Sequence, residues 1–177
     1  MANCHKIPAA EFTKFMMTSK EIHSSLEGLL EILRETNPKL QVVFTLSPVR
    51  HLKDGAVANQ LSKSRMLEVV HALLDSNTHY FPAYEILLDE LRDYRYYARD
   101  LVHPSELAVD YIWQRFREYA LSDACNGLVD EIDTIYKRLK HRPQYSSSHS
   151  HQKFEEQTTE MVKSLKLNHP QLKLSLP

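Results

Sequence analysis

The sequence contains only three glycines in 177 residues, Gly28, Gly55 and Gly127. No two of them lie close enough to form a Gly-rich phosphate loop, which excludes both the dinucleotide-binding fingerprint and the P-loop. Long apolar runs are also missing, because none reaches the roughly 18 residues that a membrane span needs. Polar and charged side chains interrupt the N-terminal segment, so we expect no secretory signal. The sequence therefore predicts no bound cofactor and no membrane partner.

A strong excess of charge of one sign is missing as well. Lys and Arg number 22, Asp and Glu number 23, and the net charge is -1. This balance gives no general attraction to a phosphate backbone, so we expect no nucleic-acid partner. The two cysteines, Cys4 and Cys125, cannot build a disulfide framework, and we interpret them as reduced, partly buried thiols. Such thiols allow a cytoplasmic location, the default expectation, without establishing it.

The hydrophobic pattern predicts helices and strands in alternation. Thr18 to Glu21 has the sequence of a capping box, and an apolar stripe predicts a helix from there to Asn37. Two short apolar runs, 42–46 and 80–81, predict strands, and the first is expected to be covered on both faces. The remaining expectations are a loop at 49–62 and helices at 64–75, from Pro104 onward, at 122–140 and, weakly, at 154–167.

This order of elements predicts an α/β fold with βαβ construction and a parallel sheet. Two short strands cannot form a stable covered sheet alone, so we expect a partial domain from which N-terminal strands are missing. We assign residues 1–141 to this domain. Residues 142–177 are assigned to a polar linker and a weakly helical C-terminal tail.

Asp100 and His103 are candidate catalytic residues on a segment that leads into a predicted helix. A carboxylate three residues before a histidine can fix the imidazole tautomer and stabilise the imidazolium. The histidine can then take a proton from a nucleophile. The same spacing also suits a surface pair or a helix cap.

Ser47 to His51 follow the first predicted strand, where the ligand sites of α/β sheets collect. Arg50 could hold an anion through two guanidinium N–H groups. We therefore treat Arg50 and His51 as candidate substrate-binding residues. The alternative is a turn with an exposed arginine and an exposed histidine.

Three other clusters have simpler interpretations. In the run 92–99, tyrosines alternate with arginines as in proteins that stack on bases, but the flanking acids favour tyrosine packing and Arg–Asp pairing. His149 and His151 lie in a serine-rich run that fixes no geometry for a metal, so we predict no metal site. Cys4 and His5 are adjacent, which does not by itself make a catalytic pair.

Seven segments occur in a fixed order over about residues 3–120: Asn3–Lys6, Phe44–His51, Lys53–Gly55, Ser62–Lys63, Tyr80–Ile86, Asp89–Arg95 and Asp100–Ser105. This ordered set resembles the GSCFA family, a branch of the SGNH (GDSL-like) hydrolases. It is far more specific than any single segment.

The resemblance implies a partial three-layer α/β/α fold of flavodoxin-like type and serine-type hydrolysis of an ester. In that scheme His103 acts as base and Asp100 orients it, because Asp-x-x-His-Pro matches the family's C-terminal motif. Asn3 corresponds to the asparagine that stabilises the oxyanion in SGNH enzymes. The implied substrate of the parent protein is a small acyl ester.

The Gly-Ser-Cys-Phe-Ala segment that names the family, and that would carry the nucleophilic serine, does not occur in the sequence. We therefore interpret the chain as the C-terminal part of a GSCFA protein. It is expected to be inactive or nearly so alone, since triad members act as a unit. The alternative is a non-catalytic binding or assembly module that dimerises through an exposed sheet edge or complements an N-terminal partner chain.

Overall fold

The computed structural model describes Pro8, residues 11–141 and residues 149–172. Helices dominate this part of the chain, and its two strands form one parallel sheet, so the prediction of an α/β fold is confirmed. In chain order the elements are α1 (Ser19–Thr36), β1 (Val42–Thr45), α2 (Gly55–Ala72), β2 (Thr78–Phe81), α3 (Glu106–Ala120), α4 (Asp123–Lys140) and α5 (His149–Asn168).

The chain divides into two compact units, Met1–Phe116 and Arg117–Pro177. The first unit contains α1, both strands, α2 and most of α3, while the second contains α4 and α5. Our division at residue 141 stays a prediction. In the described residues, no helix is both long and apolar enough to cross a membrane.

The first helix, α1, begins as the sequence predicts. The Thr18 hydroxyl accepts a hydrogen bond from the Glu21 main-chain N–H at 3.3 Å, and the Glu21 carboxylate accepts one from the Thr18 N–H at 2.7 Å. This reciprocal capping box satisfies two N–H groups that the helix itself leaves without partners. α1 packs against α2, and the Ser19 hydroxyl donates to Glu68 on α2 at 3.0 Å.

The two strands and α2 form a βαβ unit, which confirms the predicted parallel pairing. Val42 of β1 lies opposite Thr78 of β2, and Thr45 lies opposite Phe81. Val43, on the alternate face of β1, is 40% exposed. The expectation that both faces of this strand are covered was therefore wrong for the described chain.

Helix α2 begins at Gly55, well before the predicted start at residue 64, so most of the predicted loop 49–62 is wrong. Val57 and Leu61, in its first two turns, are 84% and 44% exposed. These apolar side chains face solvent and do not belong to one buried stripe. The sequence therefore has no clear helical period at the start of α2. The predicted turn at Asp54–Gly55 is present, since Gly55 has a φ of 78°, which glycine adopts without strain.

The core of the first unit is built on the segment after β2. The chain forms a helical turn at Ala83–Glu85, a π-helical turn at Ile86–Glu90 and a 3-10 turn at Tyr94–Tyr96. The buried residues of this cluster are Phe81, Ala83, Ile86, Leu87, Leu91 and Ala108. This core therefore supports the stretch of chain that leads to Asp100.

Helix α3 presents part of its predicted apolar face to the core. The sequence pattern predicts six buried residues there, and three of them, Ala108, Ile112 and Phe116, lie in or pack against the core. The other three, Leu107, Tyr111 and Tyr119, are 57%, 38% and 48% exposed, so their predicted burial was wrong. The helix carries apolar residues on more than one side, and periodicity alone does not choose between them. The small Ala108 side chain permits a close approach of the helix backbone to the core.

In the second unit, α4 packs against α5. Ile135 and Leu165 are completely buried, and the Arg138 guanidinium lies 4.0 Å from the centre of the Phe154 ring. α5 begins at His149, five residues before the predicted weak helix. The rest of the predicted linker, 142–148, lies outside the described residues.

Candidate functional site

The predicted Asp100–His103 contact is present. One carboxylate oxygen of Asp100, Oδ2, lies 2.7 Å from Nδ1 of His103. The other, Oδ1, accepts hydrogen bonds from the main-chain N–H groups of Val102 at 2.9 Å and His103 at 3.0 Å. One oxygen therefore shapes the loop while the other orients the imidazole.

These contacts keep Asp100 ionised and fix the tautomer of a neutral His103. The hydrogen bond from His103, followed by the two main-chain hydrogen bonds, lowers the pKa of Asp100 to about 2. An ionised carboxylate only accepts hydrogen bonds, so Nδ1 of His103 must donate. In the neutral imidazole this leaves Nε2 with the lone pair that a base needs. The His103 side chain is 61% exposed, and within the described ranges no protein group hydrogen-bonds to Nε2.

The loop that holds this pair is tightly turned. The Ala98 N–H donates to the His103 carbonyl at 2.8 Å, and the Leu101 N–H donates to the Ala98 carbonyl at 2.9 Å. Tyr97 and Pro104 close the loop through an antiparallel bridge. Leu101 has a φ of 56°, a left-handed conformation that costs a non-glycine residue about 1–2 kcal/mol. This turn brings Asp100 and His103 together.

Arg50 is placed beside this loop. Its main-chain N–H donates to the Val102 carbonyl at 3.4 Å, and its guanidinium lies 4.4 Å from the centre of the Tyr97 ring. The structure thus brings three of the five predicted site residues into one region, namely Arg50, Asp100 and His103.

The two other predicted site residues are His51 and Asn3. The His51 main-chain N–H donates to Asn59 of α2 at 2.9 Å. In the described part of the chain, the His51 imidazole makes no hydrogen bond to the Asp100–His103 loop. Asn3 lies outside the described residues, so its oxyanion role stays a prediction.

Sequence reasoning assigned no role to Lys63, which the structure places next to the segment after β1. Lys63 is 5% exposed, and its ammonium group donates to the Ser47 carbonyl and lies 5.8 Å from the centre of the Tyr84 ring. Burial lowers the pKa of Lys63. The contact ties α2 to the chain that carries Arg50. Its only sequence signal was the Ser62–Lys63 pair in the ordered set of segments.

A small open cleft lies on one side of the candidate site. Its volume is about 220 Å³, and it is lined by Arg50, Leu87, Leu88, Arg92, Asp93, Tyr94 and Tyr97. The lining residues come from segments that follow the carboxyl ends of β1 and β2, the usual place for ligands in α/β sheets.

The remaining clusters have structural partners or lie elsewhere. In the run 92–99, Arg95 pairs with Asp93 at 2.9 Å, and Tyr96 and Tyr97 pack against the core, as the sequence indicated. Cys125 is exposed, so its predicted partial burial was wrong. Cys4 and His5 lie outside the described residues, which contain no group of three or more potential metal ligands.

Two family models match the chain. The model of the GSCFA family matches residues 1–116, and that of the GSCFA domain protein, C-terminal domain, matches residues 132–176. The chain belongs to the GSCFA family. Asp100, His103 and Arg50 all lie in the first of these GSCFA matches. Searches of curated proteins and of solved structures found no match.

Proposed function

We propose that this GSCFA-family chain carries the Asp–His half of a serine ester hydrolase site of the SGNH type. The observation that supports the proposal is the polarised Asp100–His103 pair, in which an ionised carboxylate holds Nδ1 and leaves Nε2 facing solvent. This arrangement is the one that a general base for a hydroxyl nucleophile requires.

In the proposed reaction, Nε2 of His103 removes the hydroxyl proton as a serine oxygen attacks the acyl carbonyl. Asp100 stabilises the imidazolium that forms. The imidazolium then gives its proton to the leaving alcohol, which yields an acyl-serine. Water, deprotonated by the same imidazole, releases the acid and frees the serine.

The serine would belong to a Gly-Ser-Cys-Phe-Ala segment, which the sequence does not contain. The chain alone is therefore expected to hydrolyse esters slowly or not at all. The proposal is tested on a fusion that places this segment from another family member before Met1. We expect the fusion to hydrolyse p-nitrophenyl acetate with an initial burst, and His103→Ala to lower kcat by about 10²–10⁴-fold.

The chain offers a matched control on α1. His23 lies 3.6 Å from Glu27, so it is another histidine paired with a carboxylate, and it is partly exposed. His23→Ala should leave turnover unchanged. Fast hydrolysis that survives His103→Ala, in the fusion or in the chain alone, would contradict the assignment.

A further inference from the structure

We propose that the cleft beside the Asp100–His103 loop binds an anionic group of the substrate, with Arg50 as the residue that recognises it. The inference rests on the hydrolase function proposed above and names its substrate class. That class is acyl esters that carry a carboxylate or a phosphate at a second position. The Asp100–His103 pair alone does not indicate this substrate class.

Two of the charged side chains that line the cleft are already paired with neighbours of opposite charge. Arg92 is neutralised by Asp89, and Asp93 is neutralised by Arg95. Among the described residues that line the cleft, Arg50 is the one remaining charged residue. The cleft therefore carries one positive charge that these neighbouring pairs leave unbalanced.

In the described residues, no acidic side chain is paired with this charge. All 23 Asp and Glu side chains lie in the described part of the chain, and none forms an ion pair with Arg50 there. Arg50 is nevertheless half-buried. A cation that is partly removed from water without a counter-charge loses hydration and gains no ion pair, which an anionic ligand would correct.

The Tyr97 ring restrains the guanidinium group of Arg50. Its centre lies 4.4 Å from the centre of the Tyr97 ring. At this separation the ring and the cation attract each other, and the ring restricts the rotation of the side chain. The guanidinium N–H groups point outward in its own plane, in the fork that matches two oxygens of a carboxylate or phosphate.

Arg50 and the cleft lie beside the loop that carries the proposed general base. Leu87 and Leu88 give the cleft an apolar wall, and its volume is about 220 Å³. Arg50 is hydrogen-bonded to Val102, the residue before His103. An anion bound by Arg50 would thus be held by a residue that contacts the loop of the proposed general base. Such binding would hold the substrate by a charge that does not react.

The test measures binding by the full chain and needs no hydrolysis. Two acyl esters, monomethyl succinate with a carboxylate and 2-acetoxyethyl phosphate with a phosphate, are titrated into labelled protein. The side-chain Nε–H resonances of the arginines are followed by NMR. Methyl succinamate is the neutral control probe. We expect saturable binding of at least one anionic probe, shifts at Arg50, and no binding of the amide. The stronger of the two anionic probes identifies the substrate anion.

Arg50→Gln should weaken that binding about ten- to hundredfold, the usual effect of a hydrogen bond to a charged group. Arg50→Lys keeps the charge but loses the planar fork, so it should give an intermediate affinity and show that the fold is intact. Arg99→Gln, at an exposed arginine that does not line the cleft, should change affinity less than about threefold.

Absence of saturable anion binding, or equal binding by the wild-type chain and Arg50→Gln, would overturn the inference. Either result would leave the hydrolase proposal standing, since that proposal is judged by the turnover of the fusion. Anion binding at Arg50 in a chain whose fusion shows no His103-dependent turnover would instead count against the hydrolase function alone.

Discussion

At Asp100, the two carboxylate oxygens have separate partners, and this separation gives the residue a measurable signature. The largest cause of its lowered pKa is the hydrogen bond from the His103 imidazole, and the next two are main-chain hydrogen bonds. A general-base pair requires the first of these contacts, whereas an ordinary loop requires only the others. Removing the imidazole should therefore separate the two contributions.

We predict that Asp100 titrates with a pKa of about 2 in the wild-type chain and that His103→Ala raises this pKa toward its ordinary 3.8. The rise should be incomplete, because the main-chain hydrogen bonds at positions 102 and 103 remain. The measurement is the ¹³C shift of the Asp100 carboxyl carbon against pH. Asp93, whose pKa is lowered mainly by a hydrogen bond from Arg95, is the internal control and should not move.

The lowered pKa of Asp100 makes the stability of the folded chain depend on pH. Because the folded pKa of Asp100 lies below its unfolded value, ionised Asp100 favours the native state above about pH 4, and this contribution is lost as pH falls toward 2. An Asp100 pKa that is the same in the wild-type chain and in His103→Ala would show that the imidazole contact is absent in solution.

The sequence predicted the Asp100–His103 contact but not the contacts of Arg50 and Lys63. The Asp100–His103 contact is local, so a spacing of three residues in a turn was enough to predict it. The stacking of Arg50 on Tyr97 depends on how the segments after β1 and β2 pack, and no local spacing encodes that. Lys63 was missed for the same reason, since its partner Ser47 lies on a different element.

Among the elements, α1 and α4 were predicted to within one residue at each end, and a side-chain hydrogen bond caps the start of each helix. The reciprocal Thr18–Glu21 bonds begin α1, and Asn37–Pro38 follows its end. The start of α2 carries no such signal, and its first apolar side chains face solvent. Sequence patterns thus located the helix starts that a side chain caps and misplaced the start of α2, which has no such cap.

We predict that Thr18→Ala lowers the free energy of unfolding by about 1 kcal/mol, because the capping box loses its hydroxyl acceptor. Ser25→Ala, at an exposed position inside α1, is the control and should stabilise the chain by no more than about 0.5 kcal/mol. Urea unfolding followed by the fluorescence of Trp113, the only tryptophan, measures both. Equal values for the two variants would mean that the cap contributes nothing to stability.

For the whole molecule, the order of elements predicted an α/β fold with parallel strands because the β-branched run after α1 and the crossover helix leave few other topologies. The division into units at residue 116 depends on contacts between distant segments, which periodicity does not reveal. The expectation of self-association through a sheet edge stays a prediction.

The central claim is that Asp100 acts on catalysis only through His103. The most direct measurement is kcat for p-nitrophenyl acetate in the serine-bearing fusion, determined for Asp100→Asn, His103→Ala and the double variant. Residues that work as a unit give non-additive losses. We predict that the double variant is no slower than His103→Ala. Losses that multiply, so that the double variant is slower by the full Asp100→Asn factor, would contradict the account.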